Sequence, residues 1–98
     1  MRLAAIAKEF GDQVAIEWKS FLLRPEPRQV SLERFRRYTE SWQRPAEQPG
    51  GGRFRVWSTD EGPPSHSVPP NVAVKAAGRL GRLEDYHLAL MDAYFYAN

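Results

Sequence analysis

The stretch VAIEWKSFLLRPEP, Val14–Pro27, constrains the fold of this chain more than any other part of its sequence. Apolar side chains occupy every second position from Val14 to Trp18, which is typical of a strand. The run that begins at Phe21 is apolar on both faces, and such runs lie inside sheets that are covered above and below. Two prolines end it, because neither can donate to a hydrogen-bond ladder. The sequence therefore predicts a strand from Val14 to Leu23 that needs a sheet around it.

The rest of the chain offers little for this strand to pair with. Residues 53–58 alternate in part, and a short second strand there is one interpretation. We favour instead an extended segment held by Phe54 and Trp57 packing on helices. Unpaired strand edges leave backbone N–H and C=O groups that must find partners. We therefore predict a homodimer in which residues 14–23 pair antiparallel with the same strand of a second copy, flanked by the helices. Its predicted core consists of Val14, Ile16, Trp18, Phe21, Leu3 and Phe10.

Four helices are predicted around this strand, because apolar residues recur every three or four positions. Gly11 ends the first, Ser31 is a good N-cap for the second, and Ser67 is a candidate N-cap for the third, which Gly81 ends. The predicted bounds are residues 2–10, 32 to about 45, about 69–80 and about 83–98. The fold class is therefore mainly α with one or two strands.

Composition and charge bound the function. A net charge of +2 over 98 residues is too small to imply a nucleic-acid partner. No apolar run approaches the roughly 20 residues of a membrane span, and the N-terminus lacks the apolar segment of a signal peptide. We therefore expect a cytoplasmic protein that binds neither nucleic acid nor a membrane.

Residues that could carry chemistry are few. The sequence contains no cysteine, so it has no disulfide, thiolate metal site or dithiol. His66 and His87 lie in different elements without the spacing that would hold a metal ion, and a packing role is favoured for His87. The tripeptide Ser65–Ser67 has no supporting hydrolase motif. We therefore predict no catalytic, cofactor-binding or metal site and no cofactor.

Two patterns and the helix between them suggest a family. Trp18, Phe21, Leu23 and Pro25 have the spacing W-x-x-F-x-L-x-P, preceded by Val14. The Ala-rich stretch SHSVPPNVAVKAAGRLG follows, and then comes the pattern H-x-A-L-x-x-A-Y-F, which begins at His87. In this order the three stretches resemble the DsbA-like branch of the thioredoxin superfamily. They are similar above all to the FrnE-type dithiol oxidoreductases and the 2-hydroxychromene-2-carboxylate isomerases.

The resemblance implies a fragment of a thioredoxin-like α/β fold. Residues 1–27 would be the end of the first helix and the second strand, and residues 28–98 the inserted helical domain. The family's CxxC or Ser-bearing turn has no counterpart here, so the resemblance implies a truncated thiol–disulfide oxidoreductase or isomerase without redox activity of its own. A protein or glutathione-like ligand is implied only for a full-length form. The alternative is a non-enzymatic helical module that acts through oligomer or partner contacts.

The aromatic residues allow two interpretations, a groove or interface and a packed core. Trp18, Phe21, Leu23 and Trp57 could line a groove or an interface, as the helical insert of the family does. Core packing is the competing interpretation for the tryptophans, because each lies in a periodic apolar pattern.

A cluster of arginines offers one more alternative. Phe35 and Tyr38 lie among Arg28, Arg34, Arg36 and Arg37, which could bind phosphate or RNA. A solvated helix face, in which Glu33 and Glu40 dilute the positive charge, is the favoured interpretation.

Overall fold

The computed structural model describes residues 2–98, and the fold is mainly helical, as predicted. The α-helices are α1 (Arg2–Phe10), α2 (Leu32–Thr39), α3 (Gln43–Ala46), α4 (Val68–Arg79) and α5 (Leu83–Asp92). Short 3-10 helices cover Gly11–Gln13 and Glu40–Trp42, and a π-helical turn covers Ala93–Ala97.

The predicted strand from Val14 to Leu23 is wrong, since no residue between 2 and 98 belongs to a strand. Val14 leaves the first helix in an extended conformation, with φ −133° and ψ 129°. The backbone groups of residues 15–23 form no hydrogen bond with any other described residue. Alternation indicates an extended chain, but only pairing makes a strand, and this chain provides no pair. Ile16 and Trp18 are nevertheless half-buried, as the alternation requires.

Helix α1 ends where the sequence predicts, because Gly11 adopts φ +51°, a conformation that glycine reaches without a steric cost. The helix is joined to the loop after α3 by Arg2, whose Nε and Nη2 donate to the Pro49 carbonyl at 2.9 and 2.7 Å. We call residues 2–23, from α1 to the end of the unpaired segment, the arm.

Helix α2 begins at the predicted cap, since the Ser31 hydroxyl accepts a hydrogen bond from the Arg34 N–H at 3.3 Å. The backbone then stays helical through Glu40–Trp42 into α3, which ends at Ala46, one residue after the predicted end at Pro45. This continuity places Phe35, Thr39 and Trp42 together as buried residues.

The core is a cluster of aromatic rings. Phe35, Trp42 and Trp57 are buried at its centre, and Phe54 and Phe95 pack against them. The rings of Phe35 and Trp57 meet edge to face at 5.1 Å. Partly buried Val30, Leu32 and Tyr94 complete the cluster.

Residues 53–58 form no strand, and the predicted packing of Phe54 and Trp57 is confirmed. The Arg55 N–H donates to the Phe95 carbonyl at 2.7 Å, and the Trp57 backbone N–H donates to the Thr39 hydroxyl of α2 at 3.0 Å. These bonds hold the segment between α2 and the C-terminal turn.

Helices α4 and α5 form a hairpin. Pro69 and Pro70 lie in the first turn of α4, where a missing N–H costs nothing. Gly81 supplies φ +71° at the turn between the helices. Ser67 does not cap α4, because its hydroxyl accepts a hydrogen bond from the Arg24 N–H instead.

The chain is more open than a folded protein of its size. Its accessible surface is 7721 Å², whereas a monomer of 11.2 kDa is expected to expose about 5,700 Å². The radius of gyration is 15.0 Å, compared with about 13 Å for a typical domain of this length. About 2,000 Å² of surface is therefore in excess.

Candidate interaction surface

The arm carries most of the exposed apolar surface of the protein. Phe21 and Leu23 are 80% and 76% exposed, although they are large apolar side chains. Large apolar side chains exposed in this number along one segment are typical of an interaction site. The exposed apolar residues of the arm are Leu3, Ile6, Phe10, Val14, Phe21, Leu22 and Leu23.

Helix α1 contributes one stripe to this surface. Leu3, Ile6 and Phe10 are spaced by three and four residues, so they share one helix face, and all three are exposed. An amphipathic helix normally buries such a stripe. Leu3 alone among them lines a cleft against α5, and the three side chains keep 38–46% of their surface exposed, so the described residues cover the stripe only in part.

The segment after α1 also exposes backbone groups that have no hydrogen-bond partner. Residues 15–23 offer N–H and C=O groups on both edges, since none of them bonds to another residue of the described chain. Such a segment is a template for pairing with another extended chain. The arm can thus form both apolar contacts and backbone hydrogen bonds.

The charges of the arm are balanced. Between residues 2 and 23 the cations are Arg2, Lys8 and Lys19, and the anions are Glu9, Asp12 and Glu17. Lys19 lies 3.6 Å from Glu17, and both side chains are exposed, so this pair contributes little stability. A surface with no net charge attracts neither a strongly acidic nor a strongly basic partner.

Trp18 lies where the arm meets the rest of the protein. Its ring packs on the His87 imidazole at 4.7 Å and is half-buried. Both rings line a cleft of about 290 Å³ between α1, residues 51–54 and α5. None of the cleft residues is a serine, threonine, cysteine or lysine, so no hydroxyl, thiol or amine nucleophile lies beside His87 there. This arrangement makes His87 a packing residue, as the sequence favours.

The four residues predicted to line a groove or an interface are not brought together. Phe21 and Leu23 are exposed on the arm, whereas Trp18, which also belongs to the arm, is half-buried. Trp57 is only 6% exposed and belongs to the aromatic core, away from the cleft of Trp18. Sequence reasoning did not select Ile6 and Leu22, although the helical spacing in α1 could have identified Ile6.

Other kinds of site find no support in the described part of the chain. No three His, Cys, Asp or Glu residues between 2 and 98 are grouped so that they could hold a metal ion. The His66 Nδ1 lies 3.0 Å from the Ser65 hydroxyl. No helix in this range has the length and apolar character needed to span a membrane.

Comparison with known proteins adds no relative. No protein-family model matches the chain, and neither a curated protein nor a solved structure matches it. The geometry of the arm is therefore the main basis for assigning a function.

Proposed function

We propose that the protein is a non-enzymatic association module that forms a homodimer through its arm. In this dimer residues 15–23 of two copies pair antiparallel about a two-fold axis, and the apolar face of α1 covers the paired segments. The single observation that carries the proposal is that the arm combines exposed apolar side chains with an unpaired backbone.

The excess surface agrees with an interface of this size. About 2,000 Å² per chain is exposed beyond expectation, so two chains could bury up to about 4,000 Å² in total. Obligate homodimers bury roughly 2,000–5,000 Å². A second copy can therefore account for the whole excess.

The charge balance favours a second copy over another partner. An antiparallel pairing brings the first half of one arm beside the second half of the other. Each arm carries equal numbers of cations and anions, and Lys19, which faces its own copy at the centre of this pairing, lies diagonal to the partner's Glu17, so the two arms meet without net repulsion. The spacing of Phe21 and Leu23 also places both side chains on one face of an extended segment, where they can pack against the partner.

Sedimentation equilibrium at micromolar concentration tests the proposal. We expect a mass of about twice the 11.2 kDa of one chain. The double variant Phe21→Ser/Leu23→Ser should sediment as a folded monomer, because it removes apolar surface only from the arm. Leu80→Ser is the matched control, since Leu80 is 80% exposed but lies at the end of α4, and it should remain dimeric. A folded wild-type monomer, or a dimer that survives the double substitution, would contradict the proposal.

A DsbA-like origin is the second candidate. It rests on the order of the three sequence stretches that resemble that family, and the second and third of them form the α4–α5 helical hairpin. On this hypothesis the domain boundary at residues 27 and 28 separates a thioredoxin-like part from a helical insert. The boundary and the cytoplasmic location both stay predictions.

Both candidates predict that this chain has no disulfide chemistry of its own. Thiol–disulfide exchange needs a thiolate, and these 98 residues include no cysteine. We expect the purified protein to leave the rate of insulin reduction by dithiothreitol unchanged. Turnover above the uncatalysed rate would contradict a non-enzymatic role.

A further inference from the structure

A second concave site lies outside the arm, at the start of α2. Its volume is about 370 Å³. The residues that the argument uses are Arg24, Arg28, Ser31, Arg34, Phe35 and Tyr38. No residue of the arm lines this cavity, so it is independent of the proposed dimer surface.

Three arginines of the cavity have no carboxylate partner. Within residues 2–98, the ion pairs shorter than 4.0 Å leave out Arg24, Arg28 and Arg34, and no acidic residue lines the cavity. The neighbouring arginines of α2 are paired, since Arg36 contacts Asp60 at 2.9 Å and Arg37 contacts Glu33 at 2.6 Å. Unpaired guanidinium groups in one concavity focus a positive potential there.

The backbone that carries two of these arginines is held in place. The Ser67 N–H donates to the Arg24 carbonyl at 2.8 Å, and the Arg24 N–H donates to the Ser67 hydroxyl at 3.0 Å. The Arg28 N–H donates to the Ser65 carbonyl at 2.9 Å. Both ends of this segment are thereby fixed to the loop before α4, which lowers the ordering cost of binding.

An aromatic wall completes the cavity. Phe35 is buried at its base, and Tyr38 is exposed beside it, with ring centroids 6.0 Å apart. An exposed ring next to arginines suits a ligand that has an anionic group and a planar group.

We propose that this cavity binds a phosphate monoester that carries an aromatic ring, such as a nucleoside monophosphate or an aryl phosphate. Guanidinium groups bind phosphate oxygens in pairs of parallel hydrogen bonds, and Tyr38 stacks on the ring of the ligand. The volume is near the lower end of the roughly 300–1,000 Å³ of ligand pockets, which fits one phosphate and one ring.

Single-stranded nucleic acid fits this site less well. Such binding uses a positive groove that follows the backbone over several nucleotides. Here Asp60 and Glu33 neutralise the next two arginines along α2, so the unpaired positive charge at this end of the helix lies in the cavity.

Titration of the ¹⁵N-labelled protein with four probes tests the proposal. We expect millimolar adenosine monophosphate and phenyl phosphate to shift the amide signals of Arg24, Arg28 and Tyr38, inorganic phosphate to bind more weakly, and adenosine to cause no shift. Absence of a shift with both monoesters would overturn the site. Equal binding of inorganic phosphate would overturn the ring contact.

Two variants that each remove one positive charge test whether the ligand binds in this cavity. Arg34→Gln should weaken adenosine monophosphate binding about tenfold or more, since it removes a charged hydrogen-bond donor. Arg44→Gln removes the same charge from exposed Arg44 in α3, outside the cavity, and should leave the affinity unchanged. Equal losses in both variants would overturn the assignment. Tighter, strongly salt-dependent binding of a single-stranded oligonucleotide than of the monophosphate would overturn the small-ligand proposal.

Discussion

The aromatic core and the arm contain similar apolar residues, but the exposure of these residues to solvent differs between the two regions. Phe35, Trp42 and Trp57 are buried in the core, whereas Phe21 and Leu23 on the arm face solvent. The core segments are cross-linked by hydrogen bonds such as that from the Arg55 N–H to the Phe95 carbonyl, while residues 15–23 have none within the described chain. Apolar character alone does not bury a residue, because a neighbouring element must also be fixed over it.

The largest effect is expected from Trp57→Ala in the core. The indole ring contacts Phe35 at 5.1 Å and Tyr94 at 5.5 Å and is almost fully buried. Removing it should lower the free energy of unfolding by about 3–5 kcal/mol, a large part of the stability of a small domain. Urea denaturation followed by circular dichroism measures this loss. An unchanged midpoint would place Trp57 on a surface, as the groove interpretation requires, and would remove the contrast between core and arm.

A smaller loss is expected from Thr39→Val. The buried Thr39 hydroxyl accepts a hydrogen bond from the Trp57 N–H at 3.0 Å and donates to the Arg36 carbonyl at 2.7 Å. Valine fills the space but leaves that N–H without a partner, which costs about 1–3 kcal/mol. Ser41→Ala is the control, because the Ser41 hydroxyl makes a similar bond to the Tyr38 carbonyl on an exposed face. Equal effects of the two substitutions would show that burial at Thr39 is not the cause.

Trp18→Ala tests the boundary between the two regions. Sequence alternation predicts a buried anchor and a cost of about 3–5 kcal/mol. Trp18 is only half-buried and contacts the His87 ring, so we now expect about 2 kcal/mol from lost area and ring contact. A loss as large as that of Trp57→Ala would show that the arm and the core form one cooperative unit.

The smallest effect is expected from Tyr94→Phe, which should change how stability depends on pH only at high pH. Burial raises the pKa of the Tyr94 hydroxyl above its ordinary value of 10.0, and the positive charge of Arg24 partly offsets this. The fold therefore favours the neutral phenol, so its contribution is complete below about pH 10 and is lost as the pH rises through the raised pKa. Urea midpoints between about pH 8 and 11 should fall less steeply in Tyr94→Phe than in the wild type. The same slope in both would contradict the burial of this hydroxyl, and Tyr86→Phe, on exposed Tyr86, is the control.

Local signals predicted the helices of the fold well. Gly11, Ser31 and Gly81 act through their own backbone conformation or side chain, so their effects can be read without knowing the tertiary structure. The Ser67 cap was wrong, because its hydroxyl accepts a hydrogen bond from Arg24, which lies 43 residues away in sequence. A long-range hydrogen bond of this kind leaves no local pattern.

The candidate sites were predictable only in part. The rest of the sequence correctly predicted that residues 14–23 have no pairing partner among residues 2–98, but alternation could not show whether a strand would form. Trp57 was assigned both to a groove and to the core, because residues 53–58 present large side chains on both faces. The three unpaired arginines could not be distinguished from Arg36, since its ion pair depends on Asp60 in a distant loop, whereas the pair of Arg37 with Glu33 four residues earlier could have been predicted.

Hydrogen exchange at the amides of residues 15–23 tests the pairing of the arm most directly. In a monomer these N–H groups have no acceptor, and in the proposed dimer alternate groups are bonded to the second copy. Exchange should therefore be slow at high protein concentration and become fast on dilution below the dissociation constant, while the core amide of Trp57 exchanges slowly until the chain itself unfolds. Fast exchange of residues 15–23 at every concentration would contradict pairing through the arm.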